Sequence, residues 1–110
     1  MYRLIIDDLR TFKFPDSDNT VHARTLFEAL FVMDSRWDEV WWDFDMGPGP
    51  TTCVLAETII DQPQLYHIGL NVIHTANPVG AVRLEEILSP HWPVRRATFK
   101  EIWNLLDKSV

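Results

Sequence analysis

Tyr66-His67-Ile68-Gly69-Leu70-Asn71-Val72-Ile73-His74-Thr75-Ala76-Asn77-Pro78-Val79-Gly80 passes from an apolar run through a polar corner into a helix start. The run predicts a strand over 66–73. Asn77 suits an N-cap and Pro78 the first helical position, so a helix opens there and extends to about Leu88, stopped by Pro90 and Pro93. The same grammar recurs outward from this stretch. Upstream, Asp38 to Phe44 contains the β-prone Glu39-Val40-Trp41-Trp42 and ends in carboxylates, Asp43 and Asp45. Gly47-Pro48-Gly49-Pro50 makes a loop, and Thr51 to Asp61 has helical character. Thr25 and Glu28 have capping-box spacing, which predicts a helix over 25–35. That segment is apolar nearly all round and should pack tightly on a sheet.

Near the start, Arg3 to Ile6 is an apolar run that stops at Asp7-Asp8. Residues 11–20 are polar and turn-rich and predict a loop, with a short strand over Val21 to Ala23. At the other end, Val94 to Ala97 suits an edge strand, and the capping-box pair Thr98 and Glu101 opens a last helix to about Lys108. Strands alternating with helices call for an α/β fold, a parallel sheet with helices on its faces, in a single domain over 1–110.

The composition sets bounds. With 46% hydrophobic and 24% charged residues, five Trp and six Phe, the chain has the makings of one ordinary core. A formal charge of −6 argues against a sequence-independent grip on duplex DNA. The single cysteine, Cys53, excludes an intrachain disulfide and suits a small buried residue. No apolar run reaches the roughly 18 residues that span a bilayer, and the beginning turns acidic too soon for a signal peptide. A cytoplasmic setting without membrane contact is expected.

Three strands end in residues able to do chemistry: Asp7-Asp8, Asp43 with Asp45, and His74-Thr75. In open α/β sheets, ligands bind beyond the carboxyl ends of the strands. Parallel neighbours would bring these residues into one pocket. Clustered carboxylates repel, and a proton or cation must offset that. Hard oxygen donors suit Mg²⁺, Mn²⁺ or Ca²⁺, and the leading expectation is Mg²⁺ or Mn²⁺ with Asp7, Asp8 and Asp43 as ligands. Asp45 is equally well read as a solvated loop residue. The helix start at Asn77 offers free N–H groups to a phosphate, and Gly80 would permit close approach. Thr75 could donate to a phosphate oxygen, and Arg10 could clamp one. His74 suits a general acid or base, or a structural histidine. His22, His67 and His91 lack such a setting. Trp37, Trp41 and Trp42 suit the core, unless an aromatic face meets a protein partner.

Asp7-Asp8-Leu9-Arg10, Trp42-Asp43-Phe44-Asp45-Met46-Gly47 and His74-Thr75-Ala76-Asn77-Pro78-Val79-Gly80 resemble the DDLR, LDHDLG and HSANPVG motifs of the cyclic-phosphate processing receiver family. The matches are in order and span residues 4–84. The resemblance implies a receiver-like (flavodoxin-like) sheet with a shortened first helical region. It also implies that Asp7 and Asp8 hold a divalent metal, that Asp43 matches the phospho-acceptor position, and that Thr75 matches the receiver hydroxyl. Phe44 stands where the family pattern has His. The receiver lysine at the last strand has no clear counterpart, Arg95 and Arg96 being nearest.

The leading expectation is a metal-dependent phosphoesterase acting on a cyclic phosphate or nucleotide, with His74, Asp43 and Asp45 catalytic and Arg10, Thr75, Asn77 and Gly80 on the phosphate. The alternative, favoured by Phe44, is a non-catalytic module that binds a small phosphorylated ligand or a protein partner. A receiver scaffold with no remaining site is the third.

Overall fold

The computed structural model describes residues 1–13 and 19–107. Its strands are β1 (Arg3–Ile6), β2 (Arg10–Phe12), β3 (Thr20–Ala23), β4 (Arg36–Trp42), β5 (His67–Ile73), β6 (Val94–Arg96) and β7 (Leu105–Asp107). The helices are α1 (Leu26–Val32), α2 (Thr52–Ile60), α3 (Pro78–Leu88) and α4 (Phe99–Trp103). Five strands form one parallel sheet in the order β3-β1-β4-β5-β6, and β2 pairs antiparallel with β7.

Both sheet faces are buried, and the strand period of two sorts the side chains. Leu4, Ile6, Val40, Trp42 and Ile73 join the larger core with Ala29, Leu55, Ile59 and Leu84 from the helices. Ile5, Trp41 and Val72 face the other way and pack with Phe12 and Leu105. Trp42 is fully buried, and its indole Nε1 donates to Asn71 Oδ1 at 2.8 Å. Trp37 and Trp41 are buried as well, so the tryptophan group is core, as is Cys53 on α2.

The helix starts follow their caps. Thr25 accepts from the Glu28 N–H, Asn77 Oδ1 from the Gly80 N–H, and Thr98 and Glu101 complete a capping box.

Three expectations need correction. The last helix stops at Trp103 rather than reaching Lys108: Asn104 ends it, and Leu105 turns inward to the second core while β7 pairs with β2. The predicted loop over 11–20 contains part of β2, because Thr11 and Phe12 are buried against that partner strand; its residues 14–18 lie outside the described residues. Finally, α1 is not covered all round. It flanks the edge strand β3, so Ala29 is buried while Phe27 and Phe31 are 77% and 78% exposed. Among the described residues, the exposed aromatic surface comprises these two, Tyr2 near the chain start, and Phe99 and Trp103 on α4, and none of the Trp37, Trp41, Trp42 group.

Candidate functional site

The register carries the site. Ile6 is paired with Trp42, and Trp42 with Ile73, so the next residue of each strand, Asp7, Asp43 and His74, comes out at one level. Backbone bonds extend one step past the strands: Asp43 N–H donates to the Ile6 carbonyl and His74 N–H to the Trp42 carbonyl, each at 2.9 Å. Two distant acidic segments thus meet at one rim. One oxygen each from Asp7, Asp8 and Asp43 lies within 4.8 Å of the others.

Each carboxylate has a different setting. Asp7 is fully buried. Its Oδ1 accepts from the Leu9 and Arg10 N–H groups, both at 2.9 Å. Its Oδ2 accepts from Arg10 Nε at 3.1 Å and from His74 Nε2 at 3.0 Å. These four donors occupy the roughly four acceptor directions of a carboxylate. Burial alone would raise the Asp7 pKa, but the His74, Leu9 and Arg10 hydrogen bonds outweigh it and hold it below the usual value. Asp43 goes the other way. Burial, and then the negative charge of Asp7, push its pKa up, although Oδ1 accepts from the Phe44 N–H at 2.8 Å. Asp8 is half-buried beside Gly47, whose φ of +85° suits only glycine well; a Cβ there would stand 3.3 Å from Asp8 Oδ2. The Thr52 hydroxyl, buried in the first turn of α2, donates to the Asp43 carbonyl at 2.6 Å and ties the helix to the site.

A pocket of about 440 Å³ opens above these groups, lined by Asp7, Asp8, Leu9, Arg10, Asp43, Asp45, Gly47, Thr75, Ala76 and Asn77. Seven of the nine candidate residues are therefore brought together. His74 and Gly80 are not. The His74 ring is fully buried behind Asp7, with Nε2 donating to it and Nδ1 left without a hydrogen-bond partner. Gly80 is buried too, and its N–H is taken by Asn77. What approaches its backbone closely is Phe44: a Cβ at Gly80 would stand 2.6 Å from both Cδ atoms of that ring, and closer to Cγ. The close approach expected of a ligand at Gly80 is filled by protein. Thr75 Oγ1 accepts from the Asn77 N–H at 3.1 Å, which fixes the corner facing the acids. Arg95 is engaged with Glu101 at 2.7 and 2.8 Å, and Arg96 with Glu85 at 3.2 Å; neither lines the pocket.

Sequence reasoning missed His22 and Arg24. His22 Nε2 lies 2.6 Å from the Asp7 carbonyl oxygen, and Arg24 donates to the Asp8 carbonyl. Only the pairing of β3 with β1 reveals them, since no local motif does.

A divalent cation fits the donor set. The oxygens are hard ligands, the like charges crowd together, and Asp43 already bears the penalty that a cation would remove. Asp8 and Asp43 have the more accessible carboxylates, and Asp7 supports them from below.

The model of the cyclic-phosphate processing receiver domain family matches residues 2–90. No curated protein matches the chain. Among solved structures, the chain is similar to a CheY-like response regulator receiver domain protein from Methanospirillum hungatei JF-1. Identity is 15%, coverage is 94% of this chain and 88% of that one, and the TM-score is 0.57. That likeness concerns the receiver fold, five parallel strands flanked by helices. With most of its length matched, the chain belongs to the cyclic-phosphate processing receiver domain family.

Proposed function

We propose that the pocket binds Mg²⁺ or Mn²⁺ and uses it to process a cyclic phosphate or nucleotide as a phosphoesterase. The observation that carries this reading is the convergence of Asp7, Asp8 and Asp43, with oxygens within 4.8 Å, beneath a pocket walled by Arg10 and Thr75. Asp8 and Asp43 hold the ion, and Asp7 holds the Leu9-Arg10 turn that frames it. When bound, the ion would polarise the phosphoryl group and make its water more acidic. Arg10, anchored to Asp7 through Nε, presents a guanidinium to phosphate oxygens. Thr75, Ala76 and Asn77 form the wall facing the same oxygens, with the Asn77 N–H already held by Thr75 Oγ1. Asp45, exposed at the rim, is the carboxylate left to accept a proton from attacking water. His74 acts only through Asp7.

Hydrolysis of 2′,3′-cyclic nucleotides with Mn²⁺ tests the proposal. Turnover lost in Asp43→Asn and in chelator supports it, and no product with Mg²⁺ or Mn²⁺ rejects the phosphoesterase reading.

One observation favours a second reading, a module that binds the phosphorylated ligand without cleaving it. Phe44 replaces a histidine of the family pattern and lies against Gly80, and His74 is sealed away, so among the described residues carboxylates are the only proton-accepting side chains lining the pocket. Calorimetry separates the readings: Mn²⁺-dependent ligand binding without product supports the module.

A further inference from the structure

The acidic pair is held by its backbone as well as by its side chains. β1 ends at Ile6, so the Asp7 and Asp8 carbonyls lie beyond its strand pairing. Its neighbour β3 ends at Ala23 and the chain turns away into α1, with the Arg24 N–H diverted to Glu28 Oε2 at 2.9 Å. Side chains take over from the backbone there. His22, half-buried on β3, sets Nε2 2.6 Å from the Asp7 carbonyl oxygen, and only the nitrogen can be the donor of that pair. Arg24 donates Nε and Nη2 to the Asp8 carbonyl at 3.3 and 3.2 Å. From the other side, the Leu9 and Arg10 N–H groups are fixed on Asp7 Oδ1. The peptide units on both sides of Asp8 are therefore gripped from two directions, while the Asp8 carboxylate takes no hydrogen bond from the described residues. Its aim at Asp43 is set by its backbone.

We propose that His22 and Arg24 are positioning residues for the acidic pair: through the two carbonyls they fix where Asp8 faces Asp43, and so tune cation affinity without touching the ion. The inference rests on the cation reading above. A side chain one step removed from a metal typically changes its affinity by about 10–100-fold when lost. The lower end applies here, because the grip is shared between two side chains.

The experiment is Mn²⁺ titration, followed by the electron paramagnetic resonance of free Mn²⁺, alongside thermal unfolding in chelator. The full chain is compared with His22→Leu, His22→Gln and Arg24→Ala, with the surface variant Arg83→Ala as control. His22→Leu and Arg24→Ala should each weaken Mn²⁺ binding by about tenfold. His22→Gln places an amide N–H near the Nε2 position and should restore affinity close to that of the wild type. Arg24 is exposed, so its variant should keep its metal-free unfolding midpoint, which separates positioning from general stability. Unchanged affinity in both loss variants, with the wild type binding, overturns this inference alone. So does a Gln variant as weak as the Leu variant. A wild type that binds no Mn²⁺ overturns the cation reading together with it.

Discussion

Replacing Asp43 with Asn tests the energetics of the site. In the metal-free protein, carboxylate oxygens of Asp7 and Asp43 lie within 4.8 Å. Two unit charges at that separation repel by about 1 kcal/mol in water and about 3–4 kcal/mol at an effective dielectric of about 20. Asp43 is half-buried, so the lower part of that range applies, and the substitution also gives up attraction to His74 and Arg10. Asn keeps an oxygen for the Phe44 N–H. The net expectation is a gain of about 1 kcal/mol, or about 4 °C in midpoint for a domain of this size. The pH dependence fixes the sign. The Asp43 pKa is raised on folding, so its ionisation costs stability as pH rises from the usual aspartate value of 3.8 through the raised folded value. Well below 3.8 the carboxyl is neutral in both states and the gain should vanish; near neutral pH it should be complete. Mn²⁺ reverses the ranking. At about 100 times its Kd it should stabilise the wild type by about 2.7 kcal/mol and leave the Asn variant nearly unmoved. Thermal unfolding with chelator and with Mn²⁺, at acid and neutral pH, reads all four conditions. A variant less stable in chelator at neutral pH, or one that Mn²⁺ stabilises as much as the wild type, would refute the reasoning.

Gly80→Ala should destabilise by about 1–3 kcal/mol, because the new methyl meets the root of the Phe44 ring, and most of that loss should disappear in a Phe44→Ala background; denaturant titration of the four proteins measures the coupling, and additive losses would contradict it. Phe44→His should raise Mn²⁺-dependent hydrolysis of 2′,3′-cyclic nucleotides by about 100-fold or more if proton transfer limits the wild type; product chromatography decides, and an unchanged rate rejects that limit. Asn71→Leu should cost about 1–3 kcal/mol, since it strands the buried Trp42 indole N–H; an unfolding midpoint equal to the wild type would refute it. Glu101→Gln should cost about 1 kcal/mol near neutral pH by weakening the Arg95 pair and the capping box. Arg95 holds the Glu101 pKa down to about 2 from 4.5, so that contribution is present above 4.5 and is lost as pH falls through 2. A deficit independent of pH would point to something else.

The parallel sheet was legible because its signals are local. Each of the runs ending at Ile6, Trp42 and Ile73 is apolar and followed at once by a polar residue, and Thr25, Asn77 and Thr98 announce their helices. The convergence of Asp7, Asp8 and Asp43 followed from strand order alone. What was illegible depends on pairing between distant segments. Thr11-Phe12 looks like loop until Leu105 and Leu106 lie beside it, and α4 looks extensible until Leu105 finds a place in the second core. The depth of His74 follows the same rule: a residue that ends a strand reaches a pocket only if nothing lies in front of it, and here Asp7 does. His22 was dismissed because its significance is carried wholly by β1, fifteen residues upstream.

The same feature that obscures the reaction constrains it. Phe44 follows directly on Asp43, and its ring fills the space over the first turn of α3, where the chain could otherwise admit a ligand or a proton carrier. The ring also stiffens the corner, since Asn77 caps the Gly80 N–H on one side while Phe44 covers the Cα on the other. A phosphate in the pocket would therefore meet Thr75, Ala76 and Asn77 held in fixed positions, together with Arg10 clamped by Asp7. Such a site spends little ordering entropy on binding. On the phosphoesterase reading its chemistry would come from the cation and from carboxylates, because the imidazole at hand faces inward. Phosphoryl binding is consequently the property on which both proposed readings agree, and cleavage is the property that the cation and Asp45 together would have to supply.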